Sequence, residues 1–163
     1  MPEIVFAKKI NAAILYHKRN LILSYSDEEY LCEYDLLPHL KITDVKVLYH
    51  SSYYDGPLDG MLEWNGEKYW YLMYRDFPHT MENLESDDEM FDGTRCYVIL
   101  KLSDEEMEEE AIVHKLWVEC CGNGCYDLPE DYKPIKPTKL FYETYPPHLR
   151  KEKKGTPIAH LVW

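Results

Sequence analysis

Polar and apolar positions are patterned most clearly between Tyr53 and Arg75, in the stretch YYDGPLDGMLEWNGEKYWYLMYR. Asn65-Gly66 divides it, and an Asn-Gly pair flanked by apolar strands marks a two-residue type I′ hairpin turn. That turn sets Trp64 opposite Glu67, Glu63 opposite Lys68, Leu62 opposite Tyr69 and Met61 opposite Trp70. One hairpin face then carries Met61, Trp70 and Leu72, and the other carries Leu62, Trp64, Tyr69, Tyr71 and Met73. Both faces are bulky, so the pattern predicts a central hairpin covered on both sides. Before it, Asp55-Gly56-Pro57 reads as a tight turn: Pro57 fixes its own φ and pushes Gly56 towards extended backbone. Gly60 is expected to take a positive φ where the strand begins.

Elsewhere the pattern is shorter. Residues 4–25 read as a hairpin, with HKRN at 17–20 as its turn. Ser26 and Glu29 have capping-box spacing, which predicts a short helix from Asp27 to about Asp35, ended before Pro38. Val45–Tyr49 alternates as a strand with His50 at its end, and Arg95–Leu102 is the clearest single strand. Ser103, with Glu106 three residues on, caps a helix over about 103–121, and Gly122-Asn123-Gly124 stops it. Residues 76–94 form an acidic loop. Residues 127–163, with six prolines, read as an extended, irregular segment, and Ile158–Trp163 as a last strand or a tail tied down by Trp163. The expected fold is a single α+β domain over 1–163, with a mainly antiparallel twisted sheet and the 103–121 helix packed on one face.

At 163 residues, 45% hydrophobic, the chain is long enough to bury a core without staples. No apolar run reaches the length of a membrane span, and the N-terminus lacks a signal-peptide pattern. Five irregularly spaced cysteines then read as reduced thiols in the cytoplasm. The net charge of −12 is uneven: residues 81–110 carry −10, whereas 133–155 carry +5. This disfavours direct binding to a nucleic-acid backbone for the molecule as a whole, and favours a partner with a basic surface, or mimicry of a polyanion. Within the acidic stretch Glu85, Asp87, Asp88, Glu89, Glu105 and Glu109 are the expected interaction surface.

The series YYDGPLDG…NGEKYW, then a strand, LSDEEMEEE, an H-x-x-W and a Gly-rich turn, resembles a family of small uncharacterised bacterial and phage proteins. Their pattern is a DGPLSG turn followed by a YNGK-[YH]-W-F hairpin and a helix opening near L-[ST]-x-E-E. The resemblance spans roughly residues 48–126. This chain has Asp59 at a position expected to be small, and Cys121 to Cys125 where a Gly-Thr-His-like turn is expected. The resemblance implies a prokaryotic or viral setting and no particular activity.

Chemistry-bearing residues gather at the turn. His50, Tyr54, Asp55 and Asp59, with Trp70 from the hairpin, are the expected small-ligand site, where an aromatic face stacks a nucleobase and an Asp–His pair handles protons. Against that, Asp55 serves its own turn equally well, and strand aromatics at alternate positions are more often core. Cys121 and Cys125, with His114 near, have half the spacing of a zinc site and lack a second spaced pair, so no metal or cofactor is expected. No P-loop, dinucleotide fingerprint, zinc-protease helix or nucleophile elbow occurs. The leading expectation is a cytoplasmic binding protein, an inhibitor or accessory factor of the bacteria–phage conflict kind. A small-ligand or nucleotide binder comes second and an enzyme last.

Overall fold

The structure is a computed structural model and describes residues 33–75 and 95–163. The expected hairpin over 4–25, most of the expected helix over 27–35 and the acidic loop over 76–94 lie outside these residues. The fold is α+β, built on a six-stranded mixed sheet. Its strands are β1 (His39–Lys41), β2 (Lys46–Tyr53), β3 (Pro57–Trp64), β4 (Glu67–Arg75), β5 (Cys96–Lys101) and β6 (Thr156–Val162), in the spatial order β1-β6-β5-β4-β3-β2. Among the described residues the α-helices are α1 (Asp104–Cys120) and α2 (Thr138–Thr144). By Cα packing the described residues divide into two compact units, one of residues 33–44, 72–75, 95–99 and 157–163, the other of 45–71 and 100–156.

In the first unit β6 runs parallel to β1, with His39 beside His160 and Leu40 beside Leu161. Arg95 and Trp163 exchange backbone hydrogen bonds at 2.7 and 2.9 Å, the reciprocal pairing of antiparallel neighbours. The residues 127–163 are therefore less irregular than their prolines suggest. Pro137 directly precedes the short α2, and β6 is an interior strand with Ala159, His160 and Leu161 buried. Five consecutive residues of β5, Cys96 to Leu100, are buried, as in a strand covered on both faces. Asp35, in a 3-10 turn at Glu33–Leu36, is buried against the Arg75 guanidinium at 2.6 Å and accepts from the Tyr74 hydroxyl at 2.6 Å.

The second unit holds the hairpin of β3 and β4. Asn65 (φ 51°) and Gly66 (φ 78°) are both left-handed, the signature of a type I′ turn. Met61, Leu62, Tyr69, Trp70 and Tyr71 are all buried, so both faces are covered, as the pattern predicts. At the preceding turn the positive φ angles fall on Asp55 (51°) and Gly56 (137°), and Gly60 has none. Gly60 is required for another reason, a close approach: a Cβ there would stand 2.1 Å from the Tyr49 carbonyl oxygen. β2 is longer than expected, running to Tyr53 with irregular register, so His50 lies within a strand and not at its end.

Helix α1 begins with the full capping box: Ser103 accepts from the Glu106 amide, and Glu106 accepts from the Ser103 amide. It ends at Cys120, with Gly122 left-handed (φ 71°) beyond it. Its apolar second half packs partly on α2, where Trp117 meets Phe141 edge-on at 4.8 Å, and Ile112 stays 62% exposed.

Candidate functional site

The turn between β2 and β3 separates the five expected ligand residues. Register pairs His50 with Gly60, Ser52 with Asp59 and Tyr53 with Pro57, with shifts between them. Those shifts turn Tyr54 (73% exposed) and Asp55 out to solvent. Asp59 points inward: its Oδ1 is enclosed and has no hydrogen-bond partner among the described residues. Burial, opposed by hydrogen bonds from Ser52, lifts its pKa above the ordinary value. Trp70 is 4% exposed, so its ring is not an open stacking surface.

His50 stands on the outer side of this site. The edge of β2 is covered there by Gly124–Tyr126: the His50 amide donates to the Gly124 carbonyl at 2.9 Å, and the Tyr126 amide to the Leu48 carbonyl at 3.0 Å. Gly124 (φ 76°) leaves room for the His50 ring, since a Cβ would lie 2.7 Å from Nε2. His50 Nδ1 is 3.1 Å from the Tyr126 hydroxyl, and Tyr53 stands tilted against the ring at 5.0 Å. Burial lowers the His50 pKa, favouring the neutral imidazole. Tyr53 and Tyr126 expose more than half of their surface.

Beneath α1 lies a second group of polar residues, which pattern reading missed. Glu110 is buried and accepts from the Tyr49 hydroxyl at 2.9 Å through Oε1. Its Oε2 binds the Lys153 ammonium at 2.7 Å, and that ammonium also lies 5.1 Å from the centre of the Trp70 ring. His114, one turn after Glu110, stacks on Tyr49 at 3.6 Å with the rings nearly parallel. Burial pushes the Tyr49 hydroxyl far above its ordinary pKa, reinforced by Glu110, and burial lowers that of His114. In the run DEEMEEE nothing local marks Glu110 out. The available signal is helical phase, because positions 110, 114 and 117 share one side of α1.

The acids of α1 are thus sorted. Glu106 binds the Lys154 amide at 2.7 Å and Glu110 binds Lys153, whereas Asp104, Glu105, Glu108 and Glu109 face solvent. Of the expected interaction surface, Glu105 and Glu109 are exposed, and Glu85, Asp87, Asp88 and Glu89 lie outside the described residues. Cys121, Cys125 and His114 do not converge, and among the described residues no three metal-binding side chains gather in one place. Cys125 lies 3.8 Å from the Asn123 carbonyl oxygen, and burial raises its thiol pKa to about 11, away from thiolate chemistry. Among the described residues no helix is long and apolar enough to cross a membrane. Comparison of the chain with protein-family models, with curated proteins and with solved structures gives no match.

Proposed function

We propose that this chain is a small binding protein that occupies a basic protein partner through the outward face of α1, as an inhibitor or accessory factor. The observation that carries this is the sorting of α1. Four acids, Asp104, Glu105, Glu108 and Glu109, stay in solvent beside the 62%-exposed Ile112, while Glu106 and Glu110 are engaged on the inner side. An acidic rim around an apolar side chain steers a basic surface and then gives it something to bury. The bacterial or phage setting rests on the resemblance of the turn and hairpin. A cytoplasmic location fits the free thiols of Cys120, Cys121 and Cys125.

The test compares the protein with its Glu105→Lys/Glu108→Lys/Glu109→Lys variant, both titrated against an Arg- and Leu-containing basic peptide. Binding to the unaltered protein should weaken at least about tenfold between about 0.05 and 0.5 M salt, and vanish in the variant. Salt-insensitive binding, or equal binding by the variant, sinks the reading.

A second reading, a small-ligand site at the β2–β3 turn, has one observation in its favour. Tyr53, Tyr54 and Tyr126 are all exposed in the turn and edge segments beside His50. Trp70 no longer contributes a face, and Asp59 no longer contributes an open carboxylate. A nucleotide panel read by thermal shift separates the two readings, because only the second expects one ligand to raise the midpoint.

A further inference from the structure

Lys153 belongs to residues 150–155, which are neither helix nor strand, yet its ammonium is the filling of a site whose walls are all regular elements. Trp70 of β4 supplies a ring face 5.1 Å from Nζ. Glu110 of α1 supplies Oε2 at 2.7 Å. Asp59 of β3, two residues before Met61 on the hairpin face that carries Trp70, keeps one carboxylate oxygen enclosed without a hydrogen-bond partner among the described residues. Tyr49 of β2 holds the other Glu110 oxygen at 2.9 Å and so fixes which oxygen faces the cation. An aromatic face with two carboxylates is the donor set that recognises a desolvated cation.

We propose that Trp70, Glu110 and Asp59 form a recognition site for a primary alkylammonium group, filled within this chain by Lys153 and able to take a partner's lysine or a small amine when Lys153 withdraws. The ammonium class follows from Glu110. With Oε1 committed to Tyr49, Glu110 presents one oxygen, so a guanidinium finds no bidentate fork on it, whereas a point charge is fully served. The walls persist without their occupant because they sit on three strands and a helix. The occupant's own chain is tethered separately, through the Lys154 amide on Glu106 at 2.7 Å and through Gly155, where a Cβ would lie 2.8 Å from the Lys101 carbonyl oxygen. The site does not involve Glu105, Glu108 or Glu109, so it stands or falls apart from the outer face of α1.

The experiment empties the site and refills it. Lys153→Ala should lower the unfolding midpoint by about 10 °C, because Glu110 is left buried and unpaired. Added n-butylammonium chloride should restore most of that loss saturably, ethylguanidinium should restore much less, and sodium chloride at equal ionic strength should restore little. Lys153→Ala/Trp70→Leu and Lys153→Ala/Glu110→Gln should show no amine-dependent gain. Should Lys153→Ala be unfolded alone, the same titration is read as the folded fraction recovered. An amine response equal to that of the unaltered protein, or no recovery at all, overturns the proposal, as does a gain that survives loss of Trp70.

Discussion

Gly60 and the Tyr49 carbonyl oxygen are in contact across β2 and β3, so closely that a Cβ at residue 60 would stand 2.1 Å from that oxygen. The same oxygen accepts from the Tyr71 hydroxyl at 3.2 Å, and that hydroxyl would be 2.6 Å from the added carbon. The absence of a side chain at residue 60 lets a tyrosine of β4 reach across β3 to the backbone of β2. That crossing places Tyr49 where its own hydroxyl meets Glu110.

Gly60→Ala should therefore cost about 3 kcal/mol or more, since backbone has to move and the Tyr71 bond is lost with it. Gly66→Ala is the matched control. Gly66 lies in the tight turn of the hairpin, with φ 78°, and nothing stands within 4 Å of its Cβ position. Its cost should be the left-handed backbone penalty alone, about 1 kcal/mol. Urea unfolding of the two variants gives the comparison, and equal losses would show that Gly60 is not held by contact.

Arg75→Met should destabilise by about 3–5 kcal/mol, because it leaves Asp35, 1% exposed, without the guanidinium 2.6 Å away. Asp35→Asn/Arg75→Met should cost clearly less than the sum of the single changes, since the carboxylate that loses the guanidinium is then no longer charged. The Tyr74 hydroxyl, 2.6 Å from Asp35 Oδ1, stays in place in either case. Additive losses in chemical unfolding would deny the coupling.

Local signals carried the local part of this fold. Asn65-Gly66 announced its turn, Ser103 with Glu106 announced the start of α1, and the doubled apolar faces of the hairpin announced burial on both sides. What stayed hidden depends on partners far along the chain. The parallel pairing of β6 with β1 joins residues more than a hundred positions apart, and no turn chemistry encodes it. Glu110 looks like Glu109 until Lys153 and Tyr49 are placed around it. α2 is a single helix of seven residues with one buried side chain, Phe141, too short for a periodic pattern to emerge among prolines. Asp59 and Trp70 were legible as two of the five expected ligand residues, but that the one is enclosed and the other buried depends on packing from distant parts of the chain.

Ser103→Ala tests the cap by itself. It removes the acceptor for the Glu106 amide and the 3.4 Å side-chain hydrogen bond to the Glu106 carboxylate, which keeps the Lys154 and Ser103 backbone amides that hold its pKa down against the effect of burial. The loss should be about 1 kcal/mol. It should also appear as faster amide exchange at Lys154, because the same carboxylate tethers that amide at 2.7 Å. Unchanged exchange at Lys154 would separate the cap from the tether.

Stability should fall as the solution is acidified through the histidine range. Burial lowers the folded-state pKa of both His50 and His114 below 6.5, with Glu110 and Asp127 partly opposing this at His114. The unfolded chain therefore takes up protons first. The contribution of each ring is complete above about pH 6.5 and is lost as pH drops below that value towards the folded one. Asp59 works with the opposite sign. Its raised folded pKa gives stability that is present below 3.8 and is lost as pH rises through the folded value, so its protonation offsets part of the histidine loss in mild acid. His114→Phe keeps a ring on Tyr49 and removes the titration, so the slope of unfolding free energy between about pH 7 and 5 should flatten relative to the unaltered protein. An unchanged slope would mean that His114 does not remain neutral on Tyr49.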